Sequence, residues 1–218
     1  MRISRLETFP VNVAYTHPEV SALTARYGIT QVLVKLTTDD GLVGWGESPR
    51  TADAVNVERA IEAMRPFVLG RDPWDKEAIA RDVDWHGMWA FQPMTRNLAY
   101  SGIDMALWDV CGKACGQPLY RLFGGALRHE VDYFCYVHWD DLDGIAAQAR
   151  DGVERGYTVF YIKAGVDAER EAAMLDALRA TIGRERKIRI DCNMAWSVPR
   201  AVRLINDWHR RFDIDFVE

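Results

Sequence analysis

Two hydrophobic patterns divide the chain, and the change from one to the other falls near residue 130. Residues 3–9 and 31–37 alternate between apolar and polar side chains, which is typical of half-buried strands. An Asp-Gly pair at 40–41 follows the second run and precedes another apolar run, so we expect a hairpin there. Residues 16–27 are polar with scattered apolar positions, which predicts a long connecting loop.

The stretch from 53 to 127 changes to helical spacing. Apolar residues recur every three or four positions in two segments, the second of which ends near Cys115, before Gly116 and Pro118. A short helix is expected over 119–123, before a Gly-Gly pair. Residues 1–127 are therefore predicted to form an α+β domain, an antiparallel sheet with a helix bundle.

From residue 131 the pattern becomes a repeat of strand and helix. Strands are expected at 131–136, 157–163, 187–191 and 213–218, and helices at 142–154, 168–182 and 198–211. Such alternation predicts βαβ units and a parallel sheet. The repeat length fits a (β/α) barrel, which uses about 31 residues per unit, and also fits an open doubly wound sheet. The glycine-rich signatures of nucleotide-binding sheets are absent from the sequence.

Composition narrows the function classes. The chain has 218 residues, 49% of them hydrophobic, and a net charge of -5. It contains no basic stripe, which argues against a nucleic-acid partner. No apolar run approaches the ~20 residues of a membrane span, and the N-terminus does not resemble a signal peptide. Four sparse cysteines are typical of reduced thiols. We therefore expect a cytoplasmic protein without a membrane partner.

Three charged residues stand at the ends of successive predicted strands: Lys163, Asp191 and Glu218. In a parallel α/β fold the carboxyl ends of the strands form the ligand-binding edge. Two nearby carboxylates repel each other unless a proton or a metal ion separates them, and Mg²⁺ prefers carboxylate oxygens. A lysine beside such an ion can act as a general base. The alternative is that these charges merely cap strand ends exposed to water.

Longer motifs identify a family resemblance. Residues 41–48 (GLVGWGES) and the signature over 99–125 (AYSGIDMALWD, GK, GQPLY, LFGG) resemble the mandelate racemase and muconate lactonizing enzyme branch of the enolase superfamily. Residues 189–193 and 215–218 are similar to strand ends that carry metal ligands in that family. The resemblance implies a capping domain on a modified TIM barrel of the (β/α)₇β type. The barrel would begin at residue 128, and its first half would occupy 128–218.

The resemblance also implies an activity and its residues. Asp191 and Glu218 match the first two Mg²⁺ ligands, and Lys163 matches the base that removes the α-proton of a carboxylate substrate, such as a hydroxy acid or sugar acid. The metal would stabilise the resulting enediolate. The intermediate would then be reprotonated, close a ring or lose a hydroxyl group. The implied enzyme is accordingly an isomerase (racemase or cycloisomerase) or a sugar-acid dehydratase.

Two positions depart from the family pattern. Tyr161 stands where the family's motif has its first lysine, and a neutral phenol cannot supply that second positive charge. We expect Tyr161 to lie in the catalytic site, which weakens a two-lysine racemase and leaves a one-base dehydratase open. Asn193, at a position close to the metal and predicted to bind substrate, lacks the acid/base histidine that some sugar-acid dehydratases carry there.

Two N-terminal loops supply further candidates. By resemblance, the loop containing His17, Arg26 and Tyr27 and the one containing Ser48 and Arg50 close over the active site and select the substrate. A basic residue in such a loop would suit an acid. The alternative for both groups is an ordinary surface loop.

The third metal ligand and the second acid/base group of the family would lie beyond Glu218. We therefore expect the sequence to be part of a longer chain, cut after the fourth barrel strand. A catalytically inactive half-barrel fragment or paralogue is the competing hypothesis. Because the family often forms dimers and octamers, a homo-oligomer is expected.

Overall fold

The computed structural model describes residues 1–49, 54–87 and 93–218. They divide into two compact units, one formed by Met1–Val13 and Ile29–His129 and the other by Ala14–Gly28 and Glu130–Glu218. The second unit thus includes a segment from the N-terminal region, and the predicted boundary after residue 127 stays a prediction. No helix among the described residues is both long and apolar enough to cross a membrane.

The N-terminal sheet has three strands in the order β1-β2-β3: β1 (Ile3–Val20), β2 (Ala25–Thr38) and β3 (Val43–Pro49). The predicted hairpin is confirmed, since β2 and β3 pair antiparallel, with Thr37 opposite Val43. The predicted loop over 16–27 is wrong. Both strands continue through it and meet at a turn in which the Ser21 N–H donates to the Thr24 carbonyl. Hydrogen bonding between the two strands keeps this segment extended, although its side chains do not alternate regularly between apolar and polar.

Four helices follow: α1 (Ala54–Val68), α2 (Lys76–Gly87), α3 (Pro93–Cys115) and α4 (Leu119–Leu122). Helix α3 packs closely against β3 because small residues face each other. A Cβ added at Gly46 would lie 1.9 Å from the carbonyl oxygen of Gly102, and one at Gly44 would lie 2.2 Å from that of Ala106. This contact anchors the core of the first unit, in which Val34, Leu36 and Ile103 are fully buried.

The second unit contains a four-stranded parallel sheet in the order β4-β5-β6-β7. Its elements are β4 (Cys135–Val137), α5 (Leu142–Glu154), β5 (Val159–Lys163), α6 (Ala168–Ile182), β6 (Lys187–Asp191), α7 (Val198–Phe212) and β7 (Ile214–Val217). The predicted strand–helix alternation is confirmed. The first strand is shorter than the predicted 131–136, because residues 131–134 are exposed and only 135–137 pair with β5.

The parallel register brings successive strand ends together. Lys163, the last residue of β5, lies opposite Asp191, the last residue of β6. Ile190 lies opposite Val217, so Glu218 directly follows β7 at the same edge. The core beneath this edge is apolar, with Phe160, Ile190 and other buried side chains shielding it from water. The sheet therefore presents its polar groups where the strands end.

Candidate active site

Lys163 and Asp191 form the centre of the candidate site. The ammonium group of Lys163 donates a hydrogen bond to Oδ2 of Asp191, and their side chains are 12% and 4% exposed. Adjacent parallel strands with matched ends place the two side chains together, as the sequence predicted. Few water molecules reach this ion pair, so its orientation is set by the protein.

Every contact described for the Asp191 carboxylate is with a donor. The Tyr161 hydroxyl donates to Oδ2 at 2.8 Å, the Asn193 side-chain amide donates to Oδ2 at 3.0 Å, and the Asn193 backbone N–H donates to Oδ1 at 2.8 Å. Burial alone would raise the pKa of Asp191, but the hydrogen bonds from Lys163, Asn193 and Tyr161 hold it below its ordinary value. The carboxylate is thus ionised at neutral pH.

Tyr161 takes a different role from the lysine that the family motif has there. Burial, and then its hydrogen bond to Asp191, raises the pKa of Tyr161, so the phenol keeps its proton. Its ring stacks on Phe134 at 4.7 Å between centroids, which fixes the hydroxyl in direction. Tyr161 therefore serves as a neutral donor that orients the Asp191 carboxylate.

The loop after β6 aims Asn193 back at Asp191. Asn193 and Met194 have φ angles of 44° and 60°, a left-handed conformation that is uncommon for residues other than glycine. Asparagine tolerates it better than most side chains, because its short polar group bonds locally. The turn lets one residue supply both a backbone and a side-chain donor. Asn193, predicted to bind substrate, is therefore placed beside the predicted metal ligand.

Glu218 adds a second carboxylate at the same edge. Its backbone N–H donates to the Ile190 carbonyl at 2.9 Å, and its carbonyl accepts from the Cys192 N–H at 3.2 Å. This pairing sets it beside Asp191, and its negative charge is felt at Tyr161. Two carboxylates are the oxygen donors that Mg²⁺ prefers, so these residues fit part of a magnesium site. The described residues contain no group of three or more acidic, histidine or cysteine side chains that would complete one.

A second feature of this unit is a cavity of about 440 Å³ at the end of the β1–β2 hairpin. Its lining consists of Ala14, Tyr15, Thr16, His17, Glu19, Tyr136 and His138. The His17 and His138 rings stack with centroids 5.0 Å apart, and Arg26 donates to Glu19 at 2.6 Å. Burial, and then the nearby His17, lowers the pKa of His138. The predicted candidates His17 and Arg26 thus lie in or next to this cavity, whereas Tyr27 is 73% exposed.

Sequence reasoning missed Tyr15, Glu19 and Tyr136 as lining residues. The signal for two of them was available, because Tyr15, His17 and Glu19 alternate along one strand and therefore share a face. It was hidden by the expectation of a loop over this segment. Tyr136 carried no local signal, since its proximity depends on a contact distant in sequence.

Ser48 and Arg50 complete the predicted set. Ser48 is fully buried, and its hydroxyl donates to the Ala99 carbonyl at 2.8 Å and accepts from the Gly102 N–H at 3.2 Å. Its hydroxyl therefore holds helix α3 to strand β3, and contact with substrate stays a prediction for this residue. Arg50 lies outside the described residues.

Comparison with known proteins matches two family models to successive parts of the chain. Residues 5–124 match the N-terminal domain model of mandelate racemase / muconate lactonizing enzyme, and residues 144–218 match an enolase C-terminal domain-like model. The L-Ala-D/L-Glu epimerase of Bacillus subtilis is 33% identical over 214 residues, which are 94% of this chain and 56% of the epimerase. The D-galactonate dehydratase family member RspA of Pantoea ananatis is 40% identical over 66% of this chain and 35% of its own length.

A solved structure extends the similarity to the whole fold. The dipeptide epimerase of Enterococcus faecalis V583, complexed with Mg and the dipeptide L-Leu-L-Tyr, has 26% identity and a TM-score of 0.89. The match covers 100% of this chain and 60% of the epimerase. The fold is accordingly a capping domain followed by part of a barrel, and the chain spans little more than half the length of these epimerases.

Proposed function

This chain belongs to the mandelate racemase/muconate lactonizing enzyme family, and from that premise we propose that it removes the α-proton of a carboxylate substrate. Lys163 is the base, and Asp191 and Glu218 are two of the ligands of Mg²⁺. The observation that carries the proposal is the buried contact between Lys163 and Asp191 at adjacent strand ends. Relatives named as an epimerase and a dehydratase family member support the general chemistry.

Each residue of the strand-end site has its own role in the proposed reaction. Asp191 accepts from the Lys163 ammonium and keeps Nζ at the strand edge, where a substrate would enter. Tyr161 and Asn193 hold Asp191 by donating to it, so the base and the ligand share one network. When bound, Mg²⁺ supplies positive charge that stabilises the doubly negative enediolate form of the substrate. Lys163 acts as the base from its neutral amine form: the ammonium first loses a proton to water, and Nζ then receives the α-proton while the electron pair of the broken C–H bond stays on the substrate.

The fate of the deprotonated substrate defines the type of reaction. Reprotonation on the opposite face gives racemisation or epimerisation, ring closure gives cycloisomerisation, and loss of a β-hydroxyl group gives dehydration. Tyr161 replaces the first lysine of the motif, so strand β5 carries a single lysine at its end. A dehydration that uses Lys163 as its one base needs no second lysine on this strand. Racemisation needs a second acid/base group from elsewhere.

The hairpin cavity is the proposed site for the distal part of the substrate. Two imidazoles, two phenols and the Arg26–Glu19 ion pair lie in or beside it. Such a lining can accept hydrogen bonds from, and donate them to, an uncharged polar or aromatic group. The substrate is in this proposal a small carboxylic acid whose carboxylate end lies at the strand edge.

The test is exchange of the α-proton in D₂O, followed by ¹H NMR with Mg²⁺ present. The panel contains hydroxy acids and sugar acids, and also dipeptides because of the epimerase relatives. We expect exchange with at least one class, and Lys163→Met should abolish it. Lys187→Met is the matched control, because Lys187 lies at the other end of β6 and is ion-paired with Asp215 at the surface.

The outcomes discriminate between products. Exchange without loss of water indicates racemisation or epimerisation, and a 2-keto product indicates dehydration. Exchange at the wild-type rate in the Lys163 variant would refute the assignment of the base. A chain that folds without turnover is the competing function. Absence of exchange with every acid of the panel would favour it.

A further inference from the structure

The peptide group between Lys163 and Ala164 is held from both sides. The Ala164 N–H donates to the Asp191 carbonyl at 2.8 Å, which continues the pairing of β5 with β6. On the other side, the Lys163 carbonyl accepts from the indole N–H of Trp139 at 2.7 Å. Strand β4 ends at Val137, which pairs with Ile162, so the strand itself stops short of Lys163. The Trp139 indole takes the place of the next strand residue.

Trp139 is itself held in place. Its ring packs against the apolar core of the second unit, and the Arg170 guanidinium lies 5.2 Å from the ring centroid. Arg170 also donates to the carbonyl of Asp140, the next residue in the chain. Contacts on the ring face and on the neighbouring backbone restrict its rotation. The N–H direction is thereby set by the fold.

The residues after Lys163 are restrained as well. Gly165 has a φ of 104°, and an added Cβ there would lie 2.9 Å from the Cys192 carbonyl oxygen. The buried Glu171 carboxylate accepts from the N–H groups of Val166 at 2.6 Å and Asp167 at 3.0 Å. The backbone that follows Lys163 is therefore fixed over several residues. At Lys163 itself, the restraint comes from the pairing with β6 on one side and from Trp139 on the other.

We infer that Trp139 is a positioning residue, whose indole N–H fixes the peptide plane at the end of β5 and so directs the Lys163 side chain. That the direction of the Lys163 side chain matters for the reaction rests on the proposed function. The hydrogen bond between Trp139 and the Lys163 carbonyl is observed independently of that function. A lysine side chain is long, so a small rotation of the backbone at its Cα displaces Nζ considerably. A displacement of about 1 Å in a reacting group can cost about 100-fold in rate.

The test is Trp139→Phe, which keeps an aromatic ring and removes the N–H. Trp196→Phe is the matched control. The indole N–H of Trp196 is buried and has no hydrogen-bond partner among the described residues, so the same deletion there breaks no hydrogen bond. If Trp139→Phe fails to fold by circular dichroism, 3-benzothienylalanine at position 139 replaces it. That analogue keeps the shape of tryptophan and has sulfur where the N–H was.

Three readouts are compared. Exchange of the Ala164 backbone amide with D₂O should become about 10-fold faster. The variant removes the hydrogen bond from Trp139 to the same peptide group, and loss of one hydrogen bond makes opening of that group easier by about this ratio. Acetylation of Lys163, measured by peptide mass spectrometry with the exposed Lys187 as internal reference, should rise about 3-fold. In α-proton exchange, kcat should fall about 10-fold while KM stays within about 2-fold, because binding groups are untouched.

The outcomes separate this inference from the proposed function. Unchanged Ala164 exchange and Lys163 acetylation in the Trp139 variant would overturn the positioning role, and so would equal changes in the Trp196 variant. Where the wild-type chain exchanges no α-proton with any acid of the panel, the proposed function fails. The amide and acetylation measurements still decide the role of Trp139 in that case.

Discussion

The contact between helix α3 and strand β3 makes a quantitative prediction about Gly46→Ala. An added Cβ would lie 1.9 Å from the Gly102 carbonyl oxygen, 2.8 Å from its carbonyl carbon and 2.9 Å from the Ala106 nitrogen. All three atoms belong to backbone, which has no rotamer with which to move away. An ordinary carbon–oxygen contact needs about 3.3 Å, so the helix must retreat by about 1.4 Å.

That retreat determines the magnitude. A radial gap of about 1 Å forfeits up to about half of the dispersion energy of each contact that it opens. The side chains packed at this interface, Val34, Leu36, Ile103 and Leu107, are fully buried and belong to one core. Overpacking usually costs about 1–3 kcal/mol, and a clash of backbone with backbone belongs at the upper end. We expect the free energy of unfolding to fall by about 3 kcal/mol.

The assay is urea denaturation followed by circular dichroism and by the summed fluorescence of the eight tryptophans. The two probes are compared, because two units can unfold separately. Gly41→Ala is the control. Its φ is 89° and no atom lies within 4 Å of an added Cβ, so it costs only backbone strain of about 1–2 kcal/mol. A Gly46 variant with an unchanged urea midpoint would refute the packing argument.

Three further predictions use other groups. Because the pKa of His138 is lowered, its contribution to the free energy of unfolding is complete above pH 6.5 and is lost as the pH falls below that value. In urea melts at several pH values, His138→Phe should make the free energy of unfolding depend less on pH. An unchanged pH dependence would contradict the assignment. Arg179 is buried and donates to four backbone carbonyls, so Arg179→Met should lower the free energy of unfolding by about 3 kcal/mol or more. Arg210→Met, at an exposed position, should lower it by under about 0.5 kcal/mol. Equal urea midpoints for the two variants would disprove this prediction. Asp191→Asn should weaken Mg²⁺ binding in calorimetry about 10-fold or more, with Asp176→Asn, on helix α6, as the control; equal affinities would exclude Asp191 as a ligand.

Local patterns were sufficient for much of the fold. The helices over 142–154 and 168–182 and the strand over 187–191 were predicted with the bounds that the structure has. Each has a regular apolar spacing and a clear start, such as Asp141 and Asp167, whose side chains cap the two helices. Spacing and capping act within a few residues, so the sequence alone can carry them.

The centre of the candidate site was also predictable, for a related reason. In a parallel sheet, consecutive strands end at one edge, so the succession of Lys163, Asp191 and Glu218 already implied their proximity. What the sequence could not show is the balance of charge at that edge. The four hydrogen bonds to Asp191, donated by Lys163, Tyr161 and Asn193, and the left-handed turn at Asn193 appear only when the loops are in place.

Other assignments depended on contacts between distant residues. The segment 16–27 looked like a loop because its alternation is weak, and only pairing of β1 with β2 makes it extended. Ser48 looked like a loop residue near substrate, yet its neighbours on helix α3 bury it completely. Trp139 carried no signal at all, since its indole meets a carbonyl 24 residues away.

The sequence by itself determined the strand–helix alternation after residue 130, most of the helices and the family of this protein, because side-chain periodicity and short motifs are local properties of the chain. Tertiary structure decided which polar groups are buried, which donors face Asp191 and what lines the hairpin cavity. Those outcomes depend on desolvation and on hydrogen bonds between residues far apart in sequence, and no local pattern records such contacts.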